Sequence, residues 1–73
     1  MYKYSVQDYF GTFFTTEAEN FTVALEKIQE YFKGTERKVK IVHCYATMAV
    51  IGLFLGSILT RTYVVTWSKV QAQ

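Results

Sequence analysis

The side chains with most chemistry to offer in this sequence are His43 and Cys44, and they stand next to each other. On one face of a helix, metal ligands sit at i and i+3 or i+4, so an adjacent pair with no third donor nearby predicts no metal site. Cys44 is the only cysteine, which rules out an internal disulfide; a lone thiol in an apolar run reads as a small hydrophobe. There is no Ser, His and acid set, no Gly-rich phosphate loop and no paired cysteine, and every carboxylate falls within the first 36 residues. The expectation is therefore a chain that is not an enzyme, with no cofactor and no small-molecule substrate. A net charge of +2 with scattered Lys and Arg is also too weak to argue for nucleic acid.

What remains is the chemistry of packing, and it concentrates in residues 41–60, IVHCYATMAVIGLFLGSILT. This run has no formal charge, and its mean hydropathy lies above the level at which a window is read as transmembrane. Its length matches the roughly 20 residues a helix needs to cross hydrocarbon. Lys38 and Lys40 precede it, Arg61 follows it, and Tyr63 and Trp67 stand where ring anchors at a membrane interface are expected. Gly52 and Gly56 form a GxxxG, Ala49 lies about one turn earlier, and Ser57 sits beside them. In a helix these residues make a groove into which a second transmembrane helix packs. The alternative is a hairpin turning at Gly56-Ser57 and pairing residues 48–55 with 58–65 as two buried strands. The span is preferred because a sheet with one helix to cover it has no evident way to bury so continuous an apolar strand on both faces.

The flanking segments follow. Residues 1–16 fit either a hairpin, from the alternation of Tyr2, Tyr4 and Val6 with Lys3, Ser5 and Gln7, or an aromatic amphipathic segment through Val6, Tyr9, Phe10, Phe13 and Phe14. The membrane span tips the choice to the second. Thr16 and Glu19 have the form of a capping box and Gly34 supplies a stop, predicting an amphipathic helix over 17–33 with Phe21, Ala24, Leu25, Ile28 and Phe32 as its apolar stripe. Residues 34–40 become a basic linker, and 61–73 an interfacial tail. Four basic residues before the span against two after it place the N-terminal part on the matrix or cytoplasmic side. The N-terminus has neither a basic start nor an apolar core, so no secretory signal is expected.

An amphipathic helix, a basic linker and a span reading YATMAVIGLFLGSILTRTYVV resemble the C-terminal part of subunit g of the mitochondrial F-type ATP synthase, over about residues 46–67. The resemblance implies an accessory subunit of the inner membrane that pairs with subunit e and supports enzyme dimers and curved cristae. By position Gly56 matches that family's helix-contact glycine and Arg61 its closing basic residue. The acidic residue the family carries after that glycine is Ser57 here, and a further glycine is Thr60.

Taken together, the sequence predicts a mainly α chain: an amphipathic helix, then a single transmembrane helix, in a non-catalytic subunit whose partners are other membrane subunits and the lipid bilayer. The alternative is a small soluble α+β module, one helix on an antiparallel sheet, acting on protein partners through a sheet edge or an aromatic patch, such as an inhibitor of a larger machine.

Overall fold

Alternation with period two wins along most of the chain. The computed structural model, which describes residues 1–70, contains five strands and one helix. Strands β1 (Tyr2–Asp8) and β2 (Gly11–Ala18) form a hairpin, α1 (Phe21–Tyr31) follows, and β3 (Lys38–Cys44), β4 (Met48–Leu55) and β5 (Ile58–Lys69) form a meander. All pairings are antiparallel in the order β2-β1-β5-β4-β3, so the contact of β1 with β5 joins the hairpin to the meander. The helix connects the two edge strands and lies on one face of the sheet.

That face is the core. Tyr4 and Val6 of β1, Ile51 and Leu53 of β4 and Tyr63 and Val65 of β5 point to it, and Ala24 and Ile28 of α1 close it together with Phe32 at the helix C-cap. Each large aliphatic side chain buried this way contributes roughly 1.5–3 kcal/mol. Aromatic rings seal both ends. Tyr4, Phe21 and Trp67 pack together near the start of α1, with centroids 5.3–6.0 Å apart. Phe13, Phe32 and Tyr63 do so near its end, at 5.1–6.3 Å.

The structure overturns the mainly α reading and matches the alternative fold, one helix on an antiparallel sheet. Among the described residues no helix is long and apolar enough to cross a membrane. Residues 41–60 are not a transmembrane helix but the end of β3, all of β4 and the start of β5. Two physical reasons stand out. The run is rich in β-branched side chains, which favour a pleated surface. Gly56 adopts φ 63° while Ser57 stays at negative φ, the pattern of a type II′ turn whose twist suits a two-residue hairpin. The objection that β4 could not bury both faces is met differently: it buries only one. Ala49, Ile51 and Leu53 face inwards, while Met48, Val50 and Phe54 remain partly exposed on the other side.

Other boundaries move for local reasons. Residues 1–16 form the β1–β2 hairpin rather than an amphipathic helix: alternation puts Tyr2, Tyr4 and Val6 on one face of β1, where Tyr4 and Val6 enter the core and Tyr2 packs against it. The helix begins later than Glu17, since Thr16 to Ala18 belong to β2; Asn20 is the N-cap, its side chain accepting from the Val23 amide at 3.0 Å. Lys38 and Lys40 are in β3, not in a linker. The expected interfacial tail is mostly β5; its last three residues, 71–73, lie outside the described residues.

Helix side chains also reach both free edges of the sheet. Lys27 Nζ donates to the Glu17 carbonyl on β2, and Gln29 bonds the backbone at the start of β3, with Val39 N donating to Oε1 at 2.8 Å and Nε2 donating to Arg37 O at 3.2 Å. Register shifts interrupt β2 near Phe13 and β3 between Ile41 and His43. Such devices discourage a further strand from adding to an edge.

Candidate functional site

The uncovered face of the meander is built by the same alternation that builds the core. Cross-strand partners share a face, so Met48 lies beside Thr66, Val50 beside Val64, Gly52 between Lys40 and Thr62, and Phe54 between Lys38 and Leu59. Val42, at the irregularity in β3, turns to this face as well. A Cβ at Gly52 would come within 2.6–2.8 Å of Leu59 Cδ1, Phe54 Cε1 and Val42 Cγ2. Gly52 thus lets three apolar side chains from three strands close over the β4 backbone.

This cluster is not part of the core. Val42 is 45% and Leu59 46% exposed, and nothing among the described residues covers them. The adjoining β4–β5 hairpin also exposes Leu55 and Ile58, which alternation beyond Phe54 and Leu59 puts on the helix side. Across the sheet the open face turns polar, with Lys3, Ser5 and Gln7 of β1 and Thr15 and Glu17 of β2. Single exposed hydrophobes are ordinary; an adjoining group on one open sheet face is the mark of a contact surface.

Charge is placed with equal asymmetry. Lys38 and Lys40 border the patch, and Lys40 Nζ lies 5.4 Å from the centre of the Phe54 ring, within reach of a cation–π interaction. Residues 38–69 contain no Asp or Glu at all, against Lys38, Lys40, Arg61 and Lys69. The carboxylates all belong to the β1–β2–α1 half and the turn after it. The one ion pair among the described residues joins Lys33 to Glu30, both exposed, on that half.

The residues expected to form a helix groove are not brought together. Ala49 is fully buried under the helix face, Gly52 points to the opposite face, and Gly56 and Ser57 make the hairpin turn. The expected membrane anchors also separate: Tyr63 and Trp67 pack in the aromatic ends of the core, Lys38 and Lys40 border the open face, and Arg61, paired with Leu53, lies on the helix side. There Arg61 adjoins a shallow hollow with Asp8, Tyr9, Phe10 and Tyr63. Tyr9 and Phe10 are 95% and 93% exposed, held in a turn in which the Asp8 carboxylate accepts from the Phe10 amide at 2.8 Å. The His43 ring lies beside that of Tyr45, with centroids 4.4 Å apart and planes tilted by 48°, and Cys44 is exposed rather than buried.

Among the described residues no three His, Cys, Asp or Glu side chains come close enough to hold a metal, and no charged side chain is buried. Burial pushes the Tyr4 phenol above its ordinary value, helped by neighbouring Tyr2. Sequence reasoning missed Val42, Phe54 and Leu59 as a patch; the signal was the second apolar parity of residues 48, 50, 52 and 54. No family model, curated protein or solved structure matches this chain.

Proposed function

We propose that this chain is a non-catalytic protein-interaction module that engages its partner through the open face of β3, β4 and β5. The observation that carries this reading is the apolar cluster of Val42, Phe54 and Leu59 over Gly52, on a sheet face that no element among the described residues covers. A sheet with an apolar face gains by burying it; α1 covers one face, and a partner would supply the layer over the other. The accessory-subunit reading and its mitochondrial placement depended on a transmembrane helix over 41–60; with those residues in strands, the sheet supports the interaction module instead.

Capture experiments with tagged protein test this. The wild type should retain a defined partner that is lost when Leu59→Ser and Val42→Ser are combined, and kept when Tyr9→Ser and Phe10→Ser are combined. An unchanged partner set with the first pair, or loss only with the second, contradicts the reading and moves the site to the β1–β2 turn.

A further inference from the structure

We propose that the occupant of the open face is an amphipathic segment of a partner protein whose apolar stripe is flanked by carboxylates. This rests on the interaction-module reading and adds the chemistry of what is recognised. The apolar stripe would lie along Val42, Val50, Phe54, Leu59 and Val64, and its carboxylates would meet Lys38 and Lys40. Both lysines are exposed, neither is within ion-pair distance of a carboxylate among the described residues, and β3, β4 and β5 hold no acidic residue to oppose them. Charged groups at the rim of an apolar contact set orientation and partner choice.

Three other occupants fit less well. A strand adding to β3 would meet the Gln29 side chain on Arg37 and Val39 and the irregularity after Ile41. A second copy packed patch on patch would set Lys38 and Lys40 against the same lysines of the other copy, because the carboxylate that this face does carry, Glu17, stands on β2 at the opposite edge of the sheet. An anionic membrane would be met by cations on one side of the molecule, yet Arg61 lies on the face opposite Lys38 and Lys40. The exposed Tyr9-Phe10 turn carries Asp8 with it, which such a surface repels.

The test uses the full chain, isotope-labelled for amide NMR, with two capped amphipathic peptides of about four helical turns. Both carry the same leucine stripe; one has glutamates on its flanks and the other lysines. The acidic peptide should shift the amides of β3, β4 and β5, bind at least about tenfold tighter than the basic one, and weaken at high salt. Lys38→Glu combined with Lys40→Glu should reverse the preference while the spectrum stays dispersed, showing that the fold is retained. Equal binding of both peptides at the open face would overturn the charge inference and leave the interaction-module reading standing. No shift on that face with either peptide would overturn both. Concentration-dependent self-association through the face, or binding to phosphatidylserine vesicles but to neither peptide, would also overturn the proposal.

Discussion

The side chain of Gln29 is hydrogen-bonded to the backbone of Val39: Oε1 accepts from the Val39 amide at 2.8 Å, while Nε2 donates to the carbonyl of Arg37 at 3.2 Å. A helix residue thereby does for the start of β3 what a neighbouring strand would do, and it ties α1 to the far edge of the sheet. Removing it leaves two backbone groups without their protein partner. Gln29→Ala should lower stability by about 1–2 kcal/mol in denaturant unfolding and speed hydrogen exchange at Val39. Unchanged exchange there would show that the edge does not depend on the helix.

The two parities of β4 should respond differently to truncation. Ile51 is fully buried beneath α1, and Ile51→Ala should cost about 2–5 kcal/mol. Val50, on the open face, should cost less than about 1 kcal/mol when cut to Ala. Equal losses, measured by thermal or denaturant unfolding, would mean that both faces of the strand are covered.

The glycines separate turn from packing. Gly56→Ala forces a Cβ onto φ 63° with open space around it, so the cost of about 1–2 kcal/mol is backbone strain alone. Gly52→Ala displaces Leu59, Phe54 and Val42, two of them through the far ends of flexible side chains. It should cost about 1 kcal/mol and alter amide shifts on the open face.

Tyr4 gives stability an alkaline limb. Its phenol titrates higher in the folded protein than its ordinary value of 10.0, so the folded state holds the proton more tightly. Stability is therefore full below that value and is lost as pH rises through the folded one. Comparing denaturant midpoints at about pH 9 and about pH 11, Tyr4→Phe should lose less than the wild type. An identical loss would remove Tyr4 as the cause.

Much of this arrangement is written locally. The Gly56-Ser57 turn and its strands stand in the sequence as a hairpin alternative, and the stripe of Ala24, Ile28 and Phe32 marks the buried side of α1. The choice between helix and hairpin for residues 41–60 was not local. Hydropathy counts apolar residues without regard to parity, and Val50 and Phe54 raise it although they face outwards. The helix start was obscured because Thr16 and Glu19 imitate a capping box, whereas pairing of Tyr2 with Ala18 keeps β2 extended to that point. The open-face patch was illegible for a further reason: Val42 reaches it only through a register irregularity, and Leu59 only through the hairpin register.

Site-resolved photo-crosslinking in cells that express the protein tests the central claim most directly. A photoreactive side chain placed at Leu59 or Val42 should give a discrete adduct with a protein partner, while the same group at Glu26, on the solvent side of α1, gives none. Equal adducts from all three positions, or none from the open face while Tyr9 or Phe10 yields one, would contradict the assignment of that face as the interaction surface.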